Sequence, residues 1–508
     1  MKNRFFRTST KAGARVAIPT RSFWVLLAVV VLGIAAAGTL AVHMIVSTRL
    51  LRRWVNGRPE HLLLAYDGAS AWIPGTIRVR GLAMRGSDPN VQWYFRMEKA
   101  TISISLVDLL RKRFHATRVR AEGLSFHLRE KEKKGQSSAS HIALLPPIPG
   151  FSDPPLATGE EESPPVSGEK YWTVAVDDLA ADPAPDIWVE IYRFRGHARL
   201  TGGFTLRPHA RVKIGPAAVE FLSGGFTLGA DQPILSSAAG RSDCDIDAFD
   251  PEAVKGNEVW SRISGNIRLD GRLDDIRFLN HYISPAPEPR LSGGGGKTHF
   301  DLRFDHGKAR GGAEFELARV AARYPKGTLR GRASGRLKVP AWDVEHDNME
   351  ISGSHVALED IVTSGTAHDE RNWWGRFDIT SGRIHNGLSA ETAVACRDAR
   401  PLYTLIGTPL PGWAEGILKL EGVKATARVR FASRLIDMEN LEANGEKFHI
   451  AGRYRQNGDD RQGAFLIETG ILAVGVDIHG TSSSVKLLGA RKWFAEEGRS
   501  TVQAPPRR

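Results

Sequence analysis

"THFDLRFDHGKARGGAEFELARV", Thr298 to Val320, decides the fold. Phe300, Leu302 and Phe304 alternate with Asp301 and Arg303. After a glycine-containing break, Phe315 and Leu317 alternate with charged Glu314 and Glu316. A spacing of two puts successive side chains on opposite faces of a strand. The stretch therefore reads as an antiparallel hairpin with one apolar and one charged face. All five apolar residues are expected on the same side.

The same alternation extends in both directions. "ATISISL" places Ile102 and Ile104 between Thr101, Ser103 and Ser105, and "VKATARVRF" does so with Val429 and Phe431. Helical spacing is rare. It occurs in "LVDLLRKRF", and weaker candidates are "HDERNWW", "ARPLYTLIG" and the terminal "SSSVKLLGARKWFAEE". The predicted class is mainly β: a long, curved, antiparallel sheet. Curvature is read from glycines where the alternation slips by one. In "GTIRVRGLAMRG" the apolar positions are Ile77 and Val79 before Gly81, then Leu82 and Met84 after it. Gly123 and Gly422 sit at the same kind of slip. One extra residue at a glycine is how a β-bulge looks in sequence, and it bends the strand. Two short strands joined by a glycine turn are the other reading.

The chain has 508 residues and a net charge of +12. Lys2, Arg4, Arg7, Lys11, Arg15 and Arg21 lie within its first 22 residues, with no acid among them. Half the excess thus sits at one end, which argues against a nucleic-acid groove. Phe23 to Val46 follows, 24 residues without formal charge and with a single histidine. That length suits a membrane-spanning helix, and a cleaved signal peptide is the competing reading. The basic flank places the N-terminus in the cytoplasm and the bulk outside. The expected organisation is a basic tail 1–22, a transmembrane helix 23–48 and a β module 49–130. A disordered insert 131–170 with seven prolines follows, then a sheet 171–490 and a tail 491–508.

Sites of catalysis are sought without success. "LSGGGGKT", Leu291 to Thr298, imitates a phosphate loop, but Leu291 stands where that loop needs glycine and a strand follows it. "DCDIDAFDPEAV" has Ala248 and Val254 where a calcium loop needs glycine and glutamate. The pairs Asp177/Asp178 and Asp274/Asp275 read as solvated loop residues. Cys244 and Cys396 match no zinc spacing and read as free buried thiols, with a bridge between them in an oxidising compartment the other reading. No catalytic residue, metal or cofactor is assigned, and the expectation is not an enzyme.

"SAWIPGTIRVRGLAMRG" and "ISISLVDLLRKRFHATRVRAEGLSFHLR" after an N-terminal anchor resemble the AsmA-like envelope proteins, the group that includes TamB. Pro74 to Leu82 and Val119 to Leu128 carry the match. Toward the C-terminus, "DARPLYTLIGTPLPGWAEGILKLEGVKATARVRF" and "LEANGEKFHIAGRYRQNGDDRQGAFLIETGILAVGVDIHG" also resemble that family. The chain is short beside the longest members. The resemblance implies a taco-shaped β-groove, apolar inside, that conducts phospholipid between envelope membranes from a single-pass inner-membrane anchor. Ile102, Ile104, Phe300, Leu302, Phe304, Phe315, Leu317, Val429 and Phe431 are then the groove candidates. Roughly 25–30 strands at about 4.8 Å would give a groove on the order of 120–140 Å. The alternatives are an envelope scaffold or outer-membrane assembly factor, pairing with other envelope proteins through an exposed sheet edge, and an anchored enzyme.

Overall fold

The computed structural model describes residues 38–48, 50–57, 62–87, 90–111, 113–131, 138–156, 173–207, 211–250, 253–254, 256–281, 290–324, 327–364, 371–398, 422–432, 435–458, 460–480 and 482–500. They build one 24-stranded, mostly antiparallel sheet. The first strands are β1 (Leu62–Ala65), β2 (Gly68–Ile73), β3 (Thr76–Ser87), β4 (Val91–Ile104), β5 (Arg113–Glu122) and β6 (Ser125–Glu130). The long central strands are β7 (Thr173–Val189), β8 (Tyr192–Arg207), β9 (Arg211–Leu228), β10 (Gln232–Phe249), β11 (Ile263–Leu273), β12 (Arg290–Asp305), β13 (Lys308–Tyr324) and β14 (Gly327–Asp343). Then come β15 (Asn348–Glu350), β16 (His355–Ser364), β17 (Trp373–Ile384), β18 (Leu388–Cys396), β19 (Val423–Ala432) and β20 (Leu435–Asn444). The last are β21 (His449–Asn457), β22 (Asp460–Thr469), β23 (Leu472–His479) and β24 (Ser482–Lys486).

From β7 on, strands pair in chain order as successive hairpins. Three pairs are collinear segments of a single row: β1 with β2, β5 with β6, and β15 with β16. The 24 strands therefore form 21 rows. At about 4.8 Å per row the contour is about 100 Å, shorter than expected from the sequence because many strands are long. Among the described residues β24 pairs only with β23, and β1 and β2 only with β3, so the sheet they form is open at both edges. It is neither a closed barrel nor a sandwich.

One junction is parallel. β5 and β6 both run parallel to β7. Hairpin connections cannot join parallel neighbours, which need a crossover of a dozen or more residues. The segment between Glu130 and Thr173 supplies it. Part of this segment, expected to be disordered, is packed. A short helix spans Ala139–Ile142, capped by the Ser138 hydroxyl. Leu145 and Ile148 are buried. Arg129 of β6, 1 % exposed, donates to Pro146 O (2.9 Å), Ser152 O (3.1 Å), Gln92 Oε1 (2.9 Å) and the Asp153 carboxylate. A buried guanidinium needs such acceptors, and the proline-rich backbone offers its carbonyls. Residues 132–137 and 157–172 lie outside the described residues.

At Gly81 (φ +60°) the pairing with β4 runs on without an extra residue, from Arg80↔Lys99 to Leu82↔Met97. Gly81 thus faces Glu98, and the same register sets Glu98 against Gly123 (φ +68°), the bend between β5 and β6. Gly123 N donates to Pro183 O (3.1 Å), at a register shift of β7. Neighbouring strands therefore slip together along one transverse crease. A slip in a single strand would throw its apolar set onto the polar face. Here Val79, Ala100, Ala121 and Ala181 stay in one core with Leu82, Met97, Leu124 and Ala184. Gly422 (φ +71°) is a bend just before β19, and Leu418 and Leu420 lie outside the described residues. Bulges confined to one strand occur instead at Asp360 and Asn440, both with φ near +50°, while the bulge at Ser237 (φ +52°) is shared by β10 and its neighbour β9.

No helix among the described residues is long and apolar enough to cross a membrane. Phe23 to Ala37, most of the expected span, lie outside them. Residues 38–47 are helical, and the last turns of the apolar stretch dock on the sheet. Val46 is buried, Tyr66 Oη donates to Val46 O (2.7 Å), and Ala71 N donates to His43 Nδ1 (3.2 Å). Of the expected helix at "HDERNWW", His368 to Glu370 lie outside the described residues, and Trp373 and Trp374 instead open β17 (Trp373–Ile384). "ARPLYTLIG", Ala399 to Gly407, lies outside the described residues. The terminal helix is Ala490–Ser500, after strand β24.

Candidate functional site

One row of paired residues defines the site. From β12 to β23 it reads Thr298, Phe315, Gly335, Val356, Phe377, Val394, Ala425, Ala443, Ile450, Ile467 and Val474, each the cross-strand partner of the next. Directly paired residues share a face. No charge stands in this row over its whole length. Moving one residue along each strand gives His299, Glu314, Arg336, His355, Asp378, Ala393, Thr426 and Glu442 on the opposite face. That face carries an ion-pair lattice, including Arg268–Asp301 (2.8 Å), Arg376–Asp378 (2.9 Å) and Arg428–Glu391 (2.8 Å).

The hairpin residues fall together. Phe300, Leu302 and Phe304 pair with Ala313, Gly311 and Ala309, while Phe315 and Leu317 pair with Thr298 and Gly296. All five lie on the apolar face, and Ile267 and Leu269 of β11 extend it beside Leu302 and Phe300. Val429 and Phe431 lie on it too, paired with Ala390 and Leu388 on one side and Met438 and Ile436 on the other. Gly311 is a floor residue with φ +146°, and a Cβ there would strike the Asp301 carbonyl of β12. Only glycine suits that close approach.

Exposure divides the face into two parts. Around β3 to β8 it is sealed: Ile104 is buried and Ile102 packs against the same core as Phe194, Ala181 and Ala198. Val42, Val46, Leu51 and Val55 of the N-terminal helices cover it. Phe194, Phe221 and Phe226 close the inner end, with ring centroids 4.8–5.2 Å apart. Farther along, cover is uneven: Ile361, Trp373, Cys396, Val423 and Phe448 form a second buried cluster, against which Phe377, Val394 and Ile450 pack. Trp260 stacks over Phe304 (6.1 Å), and Ile276 packs on Leu317 and Val320. Leu302 is wedged among its neighbours and only 7 % exposed, whereas Ile214, Leu337, Val356, Ile436 and Phe431 are exposed, Phe431 by 43 %. Leu337, Val356 and Ile436 escaped the sequence reading, although "RLKVPAW", "HVALED" and "LIDMEN" show their alternation.

A concavity of about 1010 Å³ lies mainly on the polar face of β9–β12. Its charges pair with one another, as in Arg241–Asp243 (2.7 Å) and Arg268–Asp301 (2.8 Å), so it is a solvated surface. Among the described residues no group of three or more His, Cys, Asp or Glu is placed to hold a metal. Cys244 and Cys396 are both free, and burial pushes the Cys396 thiol up to about 12. No family model matches the chain, and neither a curated protein nor a solved structure matches it.

Proposed function

We propose that the open apolar face binds phospholipid acyl chains, and that the protein is an AsmA-like lipid conduit anchored in a bacterial inner membrane. The observation that carries this reading is the uncharged row from Thr298 to Val474, mostly half-buried, with Val356 on it and Leu337, Phe431 and Ile436 on the same face exposed. An apolar sheet face ordinarily packs against another layer, and here the described residues supply few such layers. Acyl chains suit it energetically. Each CH₂ leaving water gains about 0.8 kcal/mol, so a 16-carbon chain gains roughly 13 kcal/mol. A bilayer offers about the same, so exchange between bilayer and face is near-neutral, as a conduit requires. The docking of Val42 and Val46 on the sheet leaves Phe23 to Ala41 for the membrane. That stretch is within the range of about 17–25 residues that spans a bilayer.

The test is phospholipid extracted per purified chain, measured by mass spectrometry. Phe431→Asp places a carboxylate on the open face, where it disfavours hydrocarbon. Because Phe431 is half in solvent without ligand, the fold should survive. Loading should fall several-fold. Lys424→Asp on the opposite face, next to Ala395 and Asn444, should leave it unchanged. Leu302→Asp is the less informative variant, since Leu302 is buried by its own neighbours. Equal loading in Phe431→Asp and Lys424→Asp would overturn the conduit and bring forward the scaffold reading, with β24 as the unpaired edge.

A further inference from the structure

The last corner of the sheet carries a second feature. Ile471 sits at the β22–β23 turn and is 95 % exposed; Leu488, just past β24, is also 95 % exposed. Leu472 and Leu487 beside them are exposed as well. Val485 pairs with Val476 of the apolar face, and Leu487 follows Val485 by two positions. Leu472 precedes Val474 by two, and Val474 ends the uncharged row. The apolar face therefore runs out into four large aliphatic side chains on a turn and a strand end.

The surroundings are cationic. Ile478 to Ala495 is an 18-residue stretch without a single acid, and it carries Lys486, Arg491 and Lys492. Arg491 pairs with Glu468 (2.5 Å) and Lys492 lies 3.9 Å from Glu496, while Lys486 makes no ion pair among the described residues. The helix Ala490–Ser500 packs on the polar side of β22 and β23, where Trp493 lies against Gly475. It thereby leaves the aliphatic corner open. Half-buried Trp493 next to it is the residue type that settles at a bilayer–water boundary.

We infer that this corner is a docking tip for a bilayer surface bearing anionic headgroups. Projecting aliphatic side chains beside Lys486, a lysine unpaired among the described residues, suit insertion among lipid headgroups, where apolar burial and attraction to anionic lipid act together. A protein partner would more readily meet a concave or flat patch. The inference stands apart from the acyl-chain reading, since a tip can dock whether or not the face carries lipid.

The test uses the full chain held in lipid nanodiscs by its apolar stretch 23–46. The readout is capture of fluorescent phosphatidylcholine vesicles, with and without phosphatidylglycerol. Capture is expected with phosphatidylglycerol and should fall as salt rises. Ile471→Ser, Leu472→Ser, Leu487→Ser and Leu488→Ser combined should lower it at least about ten-fold. These positions are exposed, so the fold should be kept, checked by an unchanged circular dichroism spectrum. Lys486→Glu with Lys492→Glu should reduce capture of the anionic vesicles alone. Phe431→Asp should capture as well as the parent, which separates the tip from the conduit. Undiminished capture by the four-serine variant, or no capture by the parent chain, overturns the inference.

Discussion

His115 on β5 stands between two carboxylates, Asp108 Oδ2 and Asp177 Oδ2, each 2.7 Å away. Asp108 lies in the short helix Leu106–Leu110, and Asp177 on β7, the strand that pairs in parallel. One imidazole thus ties helix, strand and crossover together. Its hydrogen bond to Asp108, then that to Asp177, raises its pKa above 6.5, opposed by loss of solvent and, less, by the nearby Arg113. The same contact, with help from Ser105, lowers Asp108 below 3.8. The signs fix the pH window. The raised histidine stabilises the fold fully below its unfolded pKa, and that contribution disappears as pH rises through the folded value. The depressed aspartate contributes above its unfolded pKa and fails on acidification through the folded one. Amide exchange in β5 should therefore accelerate, beyond its intrinsic pH dependence, as pH rises from the ordinary histidine value through the raised one. His115→Gln keeps a polar side chain there but cannot titrate, so its profile should be flat over that interval. Matching profiles for parent and variant would rule out the histidine tie.

At the scale of elements, alternation was legible and its interruptions were not. Phe300 to Leu317 showed the hairpin directly, because a half-buried strand writes its two faces into neighbouring residues. Bulges at Asp360 and Asn440 were also written, as the three-residue steps Leu358 to Ile361 and Met438 to Leu441, but attention to glycine hid them. The common slip of Gly81, Glu98 and Gly123 lies across strands and has no one-dimensional signature. The parallel pairing of β7 is equally silent, since a partner chosen across more than forty residues depends on the crossover. That crossover looked unstructured because proline and charge conceal how it packs. What holds it is Arg129. Arg129→Met keeps an apolar stem but abandons the carbonyls of Pro146 and Ser152. Hydrogen bonds to a charged group are worth about 1.5–3 kcal/mol each, so the segment 138–156 should detach while the sheet persists. Limited proteolysis should then cut within it at much lower protease concentration. Unchanged cleavage would mean that Leu145 and Ile148 suffice to hold it.

Over the whole molecule, the apolar face changes character along its length, and the change follows from what covers it. Between β3 and β8 small residues, Ala100, Ala121, Ala181 and Ala198, let the N-terminal helices and the phenylalanine cluster seat closely. Nothing is left there for a ligand to fill, since a packed interior has few voids larger than a water molecule. Beyond β9, outside the buried clusters around Leu317 and Trp373, larger side chains such as Leu337, Val356, Phe431 and Ile436 stand exposed, and exposed apolar area marks a binding surface. A lipid on the face should therefore stop short of the sealed end. A phospholipid with a photoreactive diazirine in its acyl chain, loaded into the full protein and irradiated, reports where hydrocarbon lies. Labelled peptides should come from β14, β16, β19 and β20, which carry Leu337, Val356, Phe431 and Ile436. Peptides from β3 and β7 should be nearly free of label, because their apolar residues are already satisfied by protein. Phe221→Ala opens the aromatic closure, and label should then advance toward β8. Uniform labelling from β3 to β23 in the parent protein would show that the N-terminal core admits lipid and that the phenylalanines close nothing. Label confined to the polar face would remove the acyl-chain reading altogether.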